Sequence, residues 1–187
     1  MGEAQGARCL TRCLLDKVTA RHILEGLLRL AEGRDLLTAE LFALDLYERA
    51  STEGIRLFVV PSTERVLQRL EGFSRYADII RLFRSRTEIV FPARYFRRWT
   101  RRLRGRGFSR EDAAVLALAT FGTTTDAQLL GMHFVATQDQ PMIRQWAAQQ
   151  TLIQDGLHLM QQNLIPPYFH ALLPQVRAPE FVVVQTS

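Results

Sequence analysis

The chain has few cysteines and no long hydrophobic run. Its two cysteines, Cys9 and Cys13, are four residues apart, and on one strand they would lie on the same face, too far apart for easy bridging. We therefore expect two reduced, buried thiols, as in a cytoplasmic protein. No apolar run is long enough to span a membrane, and the polar segment through Gly6 lacks the basic and apolar regions of an export signal.

Two common kinds of site are also missing from the sequence. The four histidines are scattered, with no second ligand at zinc spacing, so a zinc site is not expected. No glycine-rich loop of the Walker or dinucleotide-binding type occurs, so nucleotide cofactors are not indicated.

The chain does have enough apolar residues for one compact domain, together with an excess of basic charge. Its 187 residues are 47% hydrophobic, which predicts a single domain over residues 1–187. The 24 Lys and Arg residues outnumber the 19 Asp and Glu residues, giving a net charge of +5. Such a surface tolerates a phosphate backbone, although many proteins with this charge bind no nucleic acid.

Strand-like and helix-like segments alternate along the chain. The apolar runs 9–15, 55–60 and 133–137 are typical of strands, and segments of helical periodicity follow them. This alternation predicts a three-layer α/β/α fold with a central, mainly parallel sheet. The proline-containing residues 163–187 predict a wrapped C-terminal extension, with 181–184 as a closing edge strand, and residues 1–7 are expected to be a disordered start.

Acidic residues lie where predicted strands end or the next helices begin. Asp16 ends the first strand, Asp112 opens a helix that begins near Ser109, and Asp139 follows the strand 133–137. Because parallel strands end at the same sheet edge, these carboxylates could meet there around a divalent metal. Each acid also has a simpler interpretation, since Asp112 and Asp139 suit helix capping and Asp16 suits a turn.

Three motifs, in this order, resemble the PIN-domain family of metal-dependent ribonucleases. They are Leu14-Leu15-Asp16, the turn and helix from Gly107 through Asp112 to Ala119, and Phe134-Val135-Ala136-Thr137-Gln138-Asp139. The resemblance extends from Leu14 to about Trp146. It implies a PIN-like fold and a metal-dependent endoribonuclease that hydrolyses phosphodiester bonds of single-stranded RNA.

The resemblance also implies roles for individual residues. Asp16, Asp112 and Asp139 would bind Mg²⁺ or Mn²⁺ and act in catalysis, and Thr137 would hydrogen-bond a ligand carboxylate. Glu64, on the helix after the second strand, would be a fourth catalytic acid.

Two positions depart from the family pattern. Glu64 lies nearer the helix start than the family's acid, whose position falls closer to Val66 or Gln68. Lys17 stands where the family often has a small polar residue, and it could anchor a phosphate or pair with Asp16 in place of a metal. The alternative function is therefore a catalytically inactive PIN-like module that binds RNA or protein.

The densest basic segment of the sequence lies between residues 94 and 106. Its candidate RNA-phosphate contacts, together with Lys17, are Arg94, Arg97, Arg98, Arg101 and Arg102. The aromatic residues between them could stack on bases, although packing into the core is the simpler interpretation. RNA is the expected partner, a homodimer and an antitoxin-like protein partner stay open, and no membrane association is expected.

Overall fold

The computed structural model describes residues 11–124 and 131–183. In chain order the elements are β1 (Thr11–Leu15), α1 (Lys17–Ala31), α2 (Thr38–Glu53), β2 (Ile55–Val59), α3 (Pro61–Leu70), α4 (Ser74–Ser85), β3 (Thr87–Ile89), β4 (Phe91–Pro92), α5 (Phe96–Arg104), α6 (Arg110–Phe121), β5 (Gly122–Thr123), β6 (Phe134–Ala136), α7 (Gln140–Gln161) and β7 (Gln175–Arg177).

Five strands form one sheet in the order β3-β2-β1-β6-β7, and every neighbouring pair is parallel. β1 is the central strand, with Leu15 opposite Val59 on one side and Ala136 on the other. The predicted α/β fold with a parallel sheet is confirmed. The remaining strands, β4 and β5, pair with each other in a short antiparallel ladder.

Helices cover both faces of the sheet, because its strands are apolar on both sides. Leu14 packs in a core with residues of α5, α6 and α7, while Cys13 and Leu15 pack in a second core with residues of α1 to α4. This alternation is the period of two that a buried strand requires. The Cys13 thiol is free and fully buried, and its burial raises its pKa to about 12. Cys9 lies outside the described residues.

The chain leaves β1 and β6 toward opposite faces of the sheet. α1 follows β1 and packs in one core, whereas α7 follows β6 and packs in the other. The strand order therefore reverses between two neighbours, and in open α/β sheets ligands bind at the carboxyl ends of strands at such a point. In this chain that crevice lies directly after Leu15 and Ala136.

The C-terminal segment closes the sheet with a strand earlier than the one we expected. The edge strand is β7, whose Val176 packs in the core, and Phe181 instead lies in a 3₁₀ turn with 60% of its surface exposed. The predicted strand at 181–184 is wrong over residues 181–183, and Val184 lies outside the described residues, as do residues 1–7. Arg49 on α2 holds the segment by donating a hydrogen bond to the Val182 carbonyl at 2.9 Å.

No helix within residues 11–124 and 131–183 is both long enough and apolar enough to cross a membrane.

Candidate functional site

Asp16 lies at the crevice between the ends of β1 and β6. It is the N-cap of α1, and its Oδ1 accepts a hydrogen bond from the Lys17 backbone N–H at 2.7 Å. Its own backbone N–H donates to the Ala136 carbonyl at 3.0 Å, so the residue is fixed to both strands. Burial raises the pKa of the Asp16 carboxyl above its ordinary value, and the negative charge of Asp112 raises it further.

Thr137 connects Asp16 to Asp139. Its fully buried hydroxyl donates to Asp16 Oδ2 at 3.1 Å and accepts from the backbone N–H of Asp139, also at 3.1 Å. The predicted hydrogen bond from Thr137 to a candidate ligand carboxylate is thus confirmed. Asp139 is the N-cap of α7, where its Oδ1 accepts from the Met142 N–H at 3.0 Å. One carboxylate oxygen of Asp139 is therefore engaged in capping.

Asp112 lies in the first turn of α6 and is half-buried. The Ser109 hydroxyl caps this helix by accepting from the Asp112 backbone N–H at 3.0 Å. Among the bonds that the described residues make, the return bond of a capping box, from the Ser109 N–H to the Asp112 carboxylate, does not occur. The cap therefore uses the backbone of Asp112 and leaves its carboxylate free to act on Asp16.

Lys17 directs its charge away from Asp16. Its ammonium group donates to Glu111 Oε2 at 2.9 Å, and both side chains are largely exposed. The interpretation that Lys17 pairs with Asp16 is therefore wrong, because its contact with Asp16 is through the backbone. This pair could not be predicted from the sequence, because Glu111 lies 94 residues from Lys17 and has no local pattern that distinguishes it from a solvated acid.

Glu64 lies in the first turn of α3, as expected, but its carboxylate is paired with a cation from α4. Arg84 forms an ion pair with Glu64 and a second one with Glu71, and Gln68 donates to Glu64 Oε1 at 3.2 Å. Only 15% of the Glu64 side chain is exposed. Its charge is thus neutralised inside the α3–α4 pair, and its predicted catalytic role stays a prediction.

The arrangement of the carboxylates at the crevice bears on whether a metal ion could bind there. Among the residues with described positions, no group of three or more His, Cys, Asp and Glu side chains is arranged to hold a metal ion. Asp16 and Asp112, however, repel each other, and a cation would relieve that repulsion. Proteins often bind Mg²⁺ through one or two carboxylates plus water and phosphate oxygens, so Asp16 and Asp112 are the residues that would hold Mg²⁺ or Mn²⁺ if one binds here. The three-carboxylate ligand set stays a prediction.

The basic segment forms an exposed surface on α5 and on the residues just before it. We call this surface the arginine ridge: Arg94, Arg97, Arg98, Arg101, Arg102 and Arg104. The aromatic residues between them pack inward, as the simpler interpretation had it, with Trp99 buried and Phe96 partly buried against the same core. Within the described part of the chain, no carboxylate lies within ion-pair distance of the ridge. Residues 105–109 join the end of α5 to the start of α6, where Asp112 lies.

Comparisons with known proteins gave no relative: no protein-family model matches the chain, and no curated protein or solved structure matches it significantly. The fold alone defines the class of this protein: an α/β protein with a five-stranded parallel sheet between helices.

Proposed function

We propose that this chain is a PIN-like protein that hydrolyses phosphodiester bonds of single-stranded RNA with the help of Mg²⁺ or Mn²⁺. The observation that carries the proposal is the half-buried Asp16 carboxylate, whose pKa is raised by burial and by the charge of Asp112. It stands where the strand order of the parallel sheet reverses, between β1 and β6, and α/β proteins bind their ligands at such points. Carboxylates with such perturbed pKa values, placed in a crevice, are typical of functional sites.

The positions of the three motifs support the PIN-like part of the proposal. Asp16 follows the central strand, Asp139 follows the neighbouring strand, and Asp112 begins a helix of the layer that covers one face. These acids are far apart in sequence, yet Thr137 bonds to both Asp16 and Asp139, and Asp112 acts electrostatically on Asp16.

Each residue of the site has a role in the proposed reaction. The cation, when bound, would activate a water for in-line attack and stabilise the leaving oxygen. Asp16 and Asp112 would hold it, while Thr137 fixes the orientation of the Asp16 carboxylate through its hydroxyl. Asp139 caps α7 with one oxygen and would bind a metal-coordinated water with the other.

The arginine ridge supplies a route for the RNA. Guanidinium groups without acidic partners attract phosphates, and the ridge leads along α5 toward the start of α6. The Lys17 ammonium group pairs with the exposed Glu111, so a phosphate could replace that partner at little cost.

Replacement of Asp112 by Asn tests the proposal. We expect Asp112→Asn to lower Mn²⁺-dependent cleavage of a labelled single-stranded RNA about a hundredfold, because the cation would lose a charged ligand. The matched control is Asp78→Asn, which should keep the wild-type rate, because that exposed acid pairs with Arg81 and belongs to none of the candidate site residues. Circular dichroism would verify that both variants are folded. Unchanged cleavage in Asp112→Asn would rule out the proposed reaction.

The inactive PIN-like module is the second candidate, and the contacts of Glu64 favour it. PIN-domain proteins carry a further acid on the helix that corresponds to α3. In this chain Glu64 on α3 is paired with Arg84, so fewer carboxylates remain to bind a metal. Calorimetric titration with Mn²⁺ separates the two functions. A nuclease should bind Mn²⁺ and lose that binding in Asp112→Asn, whereas the inactive module should bind none, although its arginine ridge would still bind RNA.

A further inference from the structure

A pocket of about 360 Å³ lies between the end of α5, the turn that follows it and α7. The residues that line it are Trp99, Arg102, Gly105, Arg106 and Gly156. Trp99 is almost fully buried and forms an apolar wall, and the two arginines supply the charge. The described lining therefore carries two positive charges and no negative one.

Both arginines reach the same residue of α7. Arg102 Nη1 donates a hydrogen bond to the Gly156 carbonyl at 3.1 Å. Arg106 Nη2 lies 3.5 Å from the position that a Cβ on Gly156 would occupy. The two guanidinium groups thus lie around one turn of α7, where their like charges repel each other.

The described residues provide no acid that offsets this charge. Neither Arg102 nor Arg106 has a carboxylate of the described chain within ion-pair distance. Asp155, which precedes Gly156, is exposed and forms no ion pair with a described residue. A bound anion would remove the repulsion between the two arginines.

Contacts with α7 hold Arg106 in place. Gln145 and Gln149 on α7 both donate to the Arg106 carbonyl, at 3.3 and 3.0 Å. Arg106 is half-buried, and Gly107, with φ of +90°, makes the turn that follows it. Because its backbone is already fixed, Arg106 would lose less conformational freedom on binding an anion than an arginine on a mobile segment.

We propose that this pocket binds the terminal phosphate of an RNA strand, an inference that rests on the RNA binding proposed above. A phosphate monoester carries a charge of about −1.5 to −2 at pH 7, which suits two guanidinium groups. An internal phosphodiester carries only a single negative charge. Arg102 also belongs to the arginine ridge, so the pocket would hold the end of a strand whose other phosphates follow the ridge.

Three forms of one internally labelled single-stranded RNA test the proposal: one with a 5′-phosphate, one with a 3′-phosphate and one with hydroxyl groups at both ends. Fluorescence anisotropy in EDTA at constant salt measures binding without cleavage. Wild type should bind one phosphorylated form about tenfold more tightly than the hydroxyl form, the value of a hydrogen bond between charged groups.

Two arginine variants locate the preference. Arg106→Gln should abolish it, because the pocket would lose one of its two charges. The matched control is Arg104→Gln, which removes the same charge from an exposed position outside the described lining of the pocket. It should weaken the binding of all three RNAs alike and keep the preference.

Gly156 offers a second test that needs no arginine variant. Gly156→Asp would place a carboxylate beside Arg106, so it should abolish the preference, whereas the uncharged Gly156→Asn should keep it. Because the carboxylate also offsets the two positive charges, Gly156→Asp should have a higher Tm than Gly156→Asn without RNA. The same melting curves verify that both variants are folded.

The possible results separate this inference from the proposed function. Equal binding of the three RNAs by wild type would overturn the phosphate pocket and leave RNA binding by the arginine ridge intact. Loss of the preference in Arg104→Gln would also overturn the pocket, and absence of all RNA binding would overturn both. A preference that depends on Arg106, in a chain that cleaves no RNA with Mn²⁺, would support the pocket and refute the proposed hydrolysis.

Discussion

Asp16 carries a charge where the surrounding structure disfavours it. Its carboxylate is partly buried, it faces the field of Asp112, and its hydrogen-bond donors are the backbone N–H groups of Lys17 and Val18 and the Thr137 hydroxyl. Residues at functional sites often reduce stability in this way, because the arrangement that binds a ligand is not the one that best suits the empty fold. The raised pKa of Asp16 is the measurable sign of that cost.

This cost gives Asp16→Asn a pH-dependent effect on stability. The folded-state pKa of Asp16 is raised above its ordinary value of 3.8, so the native state favours the protonated form. The ionised form therefore destabilises the protein above the folded pKa, and the penalty disappears as the pH falls below 3.8. Because Asn is neutral and also a good N-cap, Asp16→Asn should raise the Tm at pH 7 in EDTA, and the gain should shrink toward pH 4.

An exposed acid provides the comparison for this measurement. Asp78 is 89% exposed and paired with Arg81 one helical turn away. Asp78→Asn makes the same change in charge, and it should alter the free energy of unfolding by less than about 0.5 kcal/mol at any pH. If Asp16→Asn lowered the Tm at pH 7, the Asp16 carboxylate would be stabilising and the proposed strain at the site would be absent.

Among the elements, the junction of α6 and β5 requires glycine at position 122, because there is no space for a side chain. A Cβ on Gly122 would lie 2.3 Å from the Leu118 carbonyl oxygen and 2.3 Å from Val90 Cγ2. The backbone of Gly122 is extended, with φ of −96°, so the requirement is for space rather than for an unusual conformation. This close approach lets β5 pair with β4 directly after the helix ends.

Gly122→Ala should therefore destabilise the protein by about 2 kcal/mol, because a backbone carbonyl cannot move aside as a flexible side chain can. Urea denaturation would show a lower midpoint with an unchanged slope. Gly72→Ala is the control, since the nearest atom to its new Cβ is 3.9 Å away, and it should stay within about 0.5 kcal/mol of wild type. Equal midpoints for the two variants would mean that the α6–β5 junction tolerates a side chain.

The elements differ in how far the sequence could predict them. β1 and β2 are mostly apolar and α6 has a serine cap, so composition and capping were sufficient to predict them. β7 has one core residue, Val176, between two polar ones, which leaves no pattern to detect. Long-range pairings were equally hidden: a carboxylate such as Glu64 has the same local sequence context whether it meets a metal or Arg84.

At the scale of the whole molecule, the paired charges and the unpaired arginines lie in different parts of the structure. Most carboxylates pair with arginines on α1 to α4 and on β2 and β3, as in the pairs Arg49–Asp45 and Arg56–Glu88. The sequence from residue 89 to 110 contains eight arginines and no acid. The arginine ridge therefore carries positive charge that no acid of the same segment offsets.

If the chain binds RNA as proposed, its affinity should depend on salt and on particular arginines. Each phosphate contact on a single strand adds about 0.7 to the slope of log affinity against log salt concentration. Replacing both Arg97 and Arg101 by Gln should therefore make that slope shallower by about 1.4 and weaken binding at low salt. Fluorescence anisotropy with a labelled single-stranded RNA over a range of salt concentrations measures both quantities.

The control removes two arginine charges at positions where each arginine already pairs with an acid. Arg56 bonds to Glu88 and Arg81 to Asp78, so the double variant Arg56→Gln and Arg81→Gln should leave the slope close to that of wild type. If both double variants changed the slope equally, RNA would be attracted by net charge alone, and the arginine ridge would not be its binding surface.

The bond from Thr137 to Asp16 joins residues 121 positions apart. On the ribosome, a chain synthesised only as far as α6 would contain Asp16 and Asp112, but neither the strand beside β1 nor the hydroxyl that orients the first acid. Since β6 and α7 follow α6 in the chain, the crevice is assembled only after residues 134–161 have been synthesised. If the crevice has the proposed activity, a nascent chain that ends before β6 would be inert toward the messenger and ribosomal RNA around it.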